Sequence, residues 1–261
     1  MSTTFAVGEE RWRARLGTLR QVVRQELVAR QLARHIPDRP GRRVLDIGCG
    51  QGTQLLNLAR RGHTVTGLDS SQALLGDLAR SLRAETPEVR GRVRLVRGDA
   101  RDTAALFRAG RFDVVLCHGV LMYFADPGPM LAAAAAVTAP GGLVSLLVRN
   151  GDALAMRPGL RGDWSAADVA FGGPWYLNRI GVRARADRLG DLTAALAAHD
   201  LEVQAWYGVR VFTDLAGDDA PVPDVGELRL LLACEERAGG TDPYRAVAAL
   251  LHVLARRQDA I

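Results

Sequence analysis

The chain has 261 residues, and 48% of them are hydrophobic, which suits one domain with elaborations. No apolar run approaches the ~20 residues of a membrane span, and the start, MSTTFAVGEERWRARLG, has no apolar segment of the kind a secretion signal carries. Cys49, Cys117 and Cys234 are odd in number and far apart. That excludes a disulfide scaffold, predicts no metal centre and fits a reducing, cytoplasmic setting. The formal net charge is +5, and all 34 basic residues are arginine. Arginine suits bidentate phosphate contacts, so a polyanionic partner is compatible with this balance. The simpler reading, supported by abundant Ala and Gly and scarce Ile, is the codon bias of a GC-rich genome.

Trp12, Leu16, Leu19, Val22, Val23, Leu27 and Leu32 recur at helical spacing and predict one helix over 9–36, ended by Pro37 and Pro40. RRVLDIGCGQG then reads as strand and glycine turn, and TQLLNLARRG as helix. HTVTGLDSS is a second strand, followed by the helix QALLGDLARSLRAE with Ser70 or Ser71 as its cap. GRVRLVRGDARD and RFDVVLCHGV read as third and fourth strands. Pro127 opens a helix that continues through the alanines at 132–136 and stops at Pro140-Gly141-Gly142. LVSLLVRN is the fifth strand. Strands alternating with helices imply a parallel sheet with right-handed crossovers.

The pattern breaks at Asn150, and residues 150–185 carry glycines, prolines and aromatics without a clear period. RLGDLTAALAAHD resumes a helix. LEVQAWYGVRVF is a strand with Arg210 in its middle, and DLAGDDAPVPD a loop. VGELRLLLACEERAG is a helix. The last apolar stretch, AVAALLHVLARR, reads as helix running into a final strand over Leu250–Ala255.

Asp46-Ile47-Gly48-Cys49-Gly50-Gln51-Gly52 lies between a strand and a helix. Glycines there let the backbone turn tightly against a ligand, and the helix start offers N–H groups to an anion. Asp69, ending the second strand, is placed to accept the hydroxyls of a ribose. Glycines spaced by single residues disfavour the G-x-G-x-x-G loop of dehydrogenases.

At these residues the chain resembles the class I S-adenosylmethionine (SAM) methyltransferases, whose loop reads D/E-x-G-x-G-x-G. The resemblance implies an α/β, Rossmann-like fold: a seven-stranded, mostly parallel sheet with helices on both faces and the last strand antiparallel. It implies SAM as cofactor. Asp46, Gly48, Cys49 and Gly50 would lie along its methionine part, Asp69 and Ser70 at the ribose, Asp99 and Ala100 at the adenine, and His118 near the sulfonium. Asp99 also reads as a helix cap, His118 as a satisfied loop histidine, and Cys49 as a small apolar filler.

GTLRQVVRQELVARQL, CHGVLMYFADP, LLVRNGDALAMR, RVFTD, CEERAGGTDPY and LHVLARR together resemble the bacterial tRNA methyltransferases that esterify 5-carboxymethoxyuridine at the wobble position (the CmoM family). By that match Arg20 would reach the carboxylate of SAM, its other reading being a solvated helix arginine. The division implied is a helical cap over 1–40, a SAM-binding core over 41–150, a lid over 151–190 and the remaining sheet over 191–261. The acceptor would be modified tRNA. A small-molecule acid or another O- or N-methyl acceptor is the alternative, and no membrane is expected.

Methyl transfer to a carboxylate needs orientation and dryness rather than a general base, because the nucleophile is already charged. Arg210 is the candidate clamp for that acid. The other reading for it is an ion pair with Asp214, Glu235 or Glu236, since a buried Arg demands a partner. Tyr123 would either stack a base or pack, and Asn150 would either donate to substrate or cap a loop. In the lid, Arg157, Arg161, Arg179, Arg183 and Arg185 could follow a phosphate backbone, with Trp164, Trp175 and Tyr176 for stacking. The lid reads equally as an amphipathic cover.

Overall fold

The computed structural model describes residues 3–37 and 39–258. Seven strands form the main sheet: β1 (Arg43–Ile47), β2 (Thr64–Asp69), β3 (Val93–Arg97), β4 (Phe112–His118), β5 (Thr138–Arg149), β8 (Leu201–Val209) and β9 (Leu250–Arg257). A separate hairpin joins β6 (Trp175–Leu177) to β7 (Arg183–Arg185). The sheet order is β3-β2-β1-β4-β5-β9-β8. β9 runs antiparallel to both neighbours, while β1 to β5 pair in parallel. This is the fold the resemblance implies, and the order reverses at β1–β4, so a crevice opens beyond the carboxyl ends of those strands.

Both faces of the sheet are covered, so its strands are apolar throughout rather than alternating. Leu45 and Ile47 of β1, Val115 and Cys117 of β4 and Leu146 of β5 pack under the helices Gly128–Val137 and Leu189–Ala197. Val44, Val114, Leu116 and Leu143 face the helices Thr53–Arg60 and Gln72–Arg83. The helix Leu19–Ala33 covers the far end of that second face, with Val23, Leu27 and Val28 against Leu147, Val209 and Leu250. Among the described residues no helix is long and apolar enough to cross a membrane.

Several boundaries differ from expectation. The helix expected over 9–36 is broken. Glu9–Arg13 is a short helix, and Thr18 is extended at ψ 151° ahead of Leu19–Ala33, its hydroxyl donating to the Arg15 carbonyl. The break frees Trp12 to turn over the glycine loop. β5 begins at Thr138 and runs through Pro140-Gly141-Gly142, its register with β4 shifting between Phe112 and Val114. No regular helix precedes β9, only a single turn over Tyr244–Val247. Ser71, not Ser70, caps the helix Gln72–Arg83, its hydroxyl accepting from the Leu74 N–H. The insertion after β5 holds the short helices Met156–Leu160 and Trp164–Phe171 and the β6–β7 hairpin.

Arg210 is not in mid-strand. β8 ends at Val209, and Arg210 takes a left-handed φ of +61°. An L-residue pays roughly 1–2 kcal/mol for that conformation. Glu235, 1% exposed on the helix Val225–Gly239, holds the turn by accepting from the N–H groups of Val211, Phe212 and Thr213 and from the Thr213 hydroxyl.

Candidate active site

Gly48 and Gly50 have φ of +69° and +56°. A Cβ on Gly48 would meet Val120 at 2.3 Å, and one on Gly50 would meet Trp12 at 3.2 Å. Only glycine lets the loop run this close to the segments that cover it. Asp69, at the end of β2, accepts from the Gly50 N–H at 2.8 Å through one oxygen and from the Ser71 N–H at 2.8 Å through the other. The two loops are thereby tied together across the sheet edge. Burial raises the Asp69 pKa, and these backbone bonds pull it back.

A cavity opens here, lined by Gly48, Gly50, Asp69, Ser70, Asp99, Ala100, His118 and Tyr123. Seven of the expected cofactor residues are thus gathered on one wall. A smaller cavity alongside holds Asp46, Gly48, Cys49, Gly50, Arg24 and His118. Asp99 is the cap that one reading gave it, and its carboxylate is forked by the Arg101 guanidinium at 3.0 and 2.8 Å. It lines the larger cavity and accepts from the Arg101 N–H at 2.9 Å as a cap, and the Arg101 guanidinium first of all lowers its pKa. Burial, then Asp69, pushes the Asp46 carboxyl up to about 7, with Arg24 pulling the other way. Cys49 and Cys117 are buried and free, as small fillers are.

His118 begins a buried chain of hydrogen bonds beneath the helix Leu19–Ala33. The Gln31 amide donates to the Gly208 carbonyl at 3.2 Å, which turns its Oε1 to His252 Nδ1 at 2.8 Å. His252 Nε2 meets Ser145 Oγ at 2.8 Å, and Ser145 Oγ meets His118 Nε2 at 2.8 Å. Burial first holds both imidazoles down, His252 to about 3, so both are neutral. The Gly208 carbonyl can only accept, and this fixes every step. His252 Nδ1–H donates to Gln31, the Ser145 hydroxyl donates to His252, and His118 Nε2–H donates to Ser145. His118 Nδ1 is left as an acceptor, and it has no partner among the described residues.

A second cavity adjoins the first, and Trp12, Arg24, Gly119 and Tyr123 line both. Among the described residues it is lined by seven arginines (15, 20, 24, 149, 157, 179 and 210) and one carboxylate, Asp218. Arg210 is 8% exposed, and its Nη2 lies 3.3 Å from Asp214, so of the three acids considered for it Asp214 is the partner. Arg20 and Arg149 share the same carboxylate at 3.6 and 3.5 Å. None of these contacts is a tight fork, and the Nε atoms of Arg20, Arg149 and Arg210 are buried without a hydrogen-bond partner. Glu235 is committed to the backbone, and Glu236 pairs with Arg30 and Arg34.

Two expected residues take other places. Arg20 lies in the basic cavity on Asp214 and Asp218, not against the glycine loop. Arg24, one turn on, reaches both cofactor-side cavities, and its guanidinium donates to the His118 carbonyl at 3.4 Å. Spacing was the available signal, since Arg20 and Arg24 sit i, i+4 beside the apolar stripe Val23–Leu27. Asn150 is 1% exposed and donates to the carbonyls of Ala246 and Ala248 while accepting from the Asp152 N–H. Its side chain is consumed in anchoring the loop, and the residues β5 presents to the cavity are Leu147 and Arg149. Tyr123 stands at the junction of the two cavities, edge-on to Phe5 at 5.4 Å. Of the arginines in the insertion after β5, Arg157 and Arg179 face the cavity, Arg185 pairs with Asp187, and Arg183 stacks on Trp175 at 4.4 Å.

A family model described as a methyltransferase domain matches residues 44–142. Over nearly its whole length the chain is 31% identical to the tRNA 5-carboxymethoxyuridine methyltransferase of Escherichia coli O157:H7, across 244 residues that cover 92% of this chain and 89% of that one. The ubiquinone biosynthesis O-methyltransferase of Paracidovorax citrulli is 37% identical over 116 residues, covering 44% of this chain and 47% of its own. Among solved structures, a SAM-dependent methyltransferase of Methanosarcina mazei superposes with a TM-score of 0.62 at 17% identity, covering 88% of this chain and 98% of that one.

Proposed function

From the premise that this chain belongs to the SAM-dependent methyltransferases, in the family of the tRNA 5-carboxymethoxyuridine methyltransferases, we propose that it methylates the carboxylate of a modified wobble uridine in tRNA. SAM is the cofactor, and it supplies an electrophilic methyl group on a sulfonium. The observation that carries the reading is the basic cavity joined to the cofactor side at Arg24 and Tyr123.

The residues fit the cofactor. Gly48 and Gly50 bring bare backbone to the wall of the cavity, and Asp69 and Ser70 stand where the ribose would lie. His118 Nδ1 offers an acceptor to its ammonium group, and Arg24 is the cation nearest the glycine loop. In the transfer, a carboxylate oxygen forms a bond to the methyl carbon. The carbon–sulfur bond breaks and its electron pair stays on sulfur, leaving an ester and a neutral thioether. No proton moves, so no base is needed. Arg210, with Arg149 and Arg20, holds the incoming acid in line. Asp214 already spaces these guanidiniums. Loose contacts at 3.3–3.6 Å let a substrate carboxylate enter among them without stripping a tight pair. A phenolic acceptor would need a base, and the lining offers only Asp218, which is engaged by Arg15, Arg20 and Arg179.

The test is incubation with methyl-labelled SAM and tRNA bearing the free acid. Label in an alkali-labile ester on the RNA is the expected result. Label absent under conditions where SAM binds would defeat the tRNA reading, and label in a small aromatic acid or phenol alone would favour the small-molecule alternative.

A further inference from the structure

Beyond the basic cavity lies another, whose walls are mainly apolar, from Ala153, Met156, Leu160, Phe212, Leu215 and Val247, with Asp214 as its one carboxylate among the described residues. Arg149 and Arg157 line both cavities. Arg149 is committed to Asp214 and lies over the Tyr176 ring at 5.8 Å. Arg157 is not committed. Among the described residues its guanidinium makes no hydrogen bond and has no carboxylate within 4.0 Å, and its Nε is buried without a partner. Each neighbouring arginine has an acid: Asp214 serves Arg20, Arg149 and Arg210, and Asp218 serves Arg179. Phe212, at the rim, is 57% exposed and meets Tyr244 edge-on at 6.4 Å, a geometry that leaves a ring face open.

We propose that Arg157 is a phosphate seat between these two cavities, and that the apolar one takes the nucleobase adjoining the nucleotide to be methylated. This deepens the reading above and rests on it. The side chain is half-buried, but its Nε donor is buried and unpaired, which is costly unless something fills it, and a guanidinium pairs with phosphate in a fork. An apolar chamber and a basic one, joined at a free cation, suit a ligand in which base, phosphate and acid-bearing nucleotide follow one another. Stacking on Phe212 asks for a π-face and not for a particular base. A lone small acid would leave both Arg157 and the apolar chamber unused.

The experiment uses an RNA stem-loop carrying the free acid as substrate, and the corresponding nucleoside acid, which has no phosphate, as competitive inhibitor. For Arg157→Ala, KM for the stem-loop rises tenfold or more, and the salt dependence of log kcat/KM becomes shallower by about 0.7–0.9, one phosphate contact. The nucleoside inhibition constant moves less than twofold. Phe212→Ala, an exposed site that leaves the core untouched, raises KM for the stem-loop by about fivefold or more, a stacking contact's worth. If the inhibition constant rises in step with KM, Arg157 serves the acid and the phosphate seat is overturned. An unchanged salt slope in a wild-type-active system overturns it too. Failure of the wild type to methylate the stem-loop at all instead removes the functional reading on which the seat depends.

Discussion

Replacing Glu235 by Gln should loosen the turn that aims Arg210 while leaving the cofactor side alone. The carboxylate accepts from Val211 N–H at 2.7 Å through one oxygen, and from Phe212 N–H at 3.1 Å, Thr213 N–H at 2.8 Å and Thr213 Oγ1 at 2.6 Å through the other. Gln keeps one acceptor oxygen for the last three and sets its amide donor against Val211 N–H. One charge-assisted bond, roughly 1.5–3 kcal/mol, is lost outright, and the other three become neutral and weaker. The expected destabilisation is about 2–4 kcal/mol. At 2–4 °C per kcal/mol for a chain of this size, thermal unfolding should come roughly 5–15 °C lower. Arg210, held at φ +61° by this clamp, is then free to relax toward an extended backbone. Methyl transfer at saturating substrate should fall tenfold or more with SAM affinity within twofold, as read by calorimetry alongside the labelled-methyl assay. A variant that melts early but turns over normally would refute the positioning role. One that melts normally would refute the clamp itself.

Asp69→Ala should weaken SAM binding by about 1–3 kcal/mol, the cost of lost charged hydrogen bonds, and titration calorimetry reads it directly. Asp46 gives a pH signature. Its carboxyl is held at about 7 in the fold against 3.8 unfolded, so between those values the folded state keeps a proton that the unfolded chain has released. The contribution of Asp46 to stability therefore falls as pH rises through this window, by up to about 1.4 kcal/mol per unit, and levels off above about 7. The buried neutral imidazoles of His118 and His252 add the opposite slope below pH 6.5, so the reading is the difference: between pH 5 and 8 urea unfolding should show the wild type losing stability relative to Asp46→Asn. Ionised Asp46 also favours a cationic ligand, so SAM affinity should rise from pH 6 to 8 only where Asp46 is present. Nitrogen-15 shifts should report His118 as the Nε2–H tautomer, and Ser145→Ala should release that preference; an Nδ1–H tautomer in the wild type would contradict the ordered chain from Gly208.

The parts read correctly from sequence are those whose cause is local. The glycine loop, the acid at the end of β2 and the helices flanking β1 and β2 each carry their own period and punctuation within a dozen residues. What escaped depends on residues distant in the chain. Alternation continues through Arg210 to Phe212, yet the strand stops at Val209 because Glu235 gathers the next backbone N–H groups. Gln31 looks like helix surface and is buried, because its partner His252 lies 221 residues on. In a chain with 34 arginines, nothing local separates Arg157, which faces the cavities, from Arg161, which faces solvent. Asn150 has the right strand end and the wrong orientation, since the pleat gives the cavity to Arg149.

A crystal of the protein with S-adenosylhomocysteine and the uridine acid tests the account most directly. The prediction is that the sulfur lies at the junction of the two cavities near Tyr123, with the acid on Arg210 and an oxygen about 3–3.5 Å from where the methyl carbon would stand. An acid seated away from Arg210, or a sulfur facing solvent rather than the basic cavity, would contradict it.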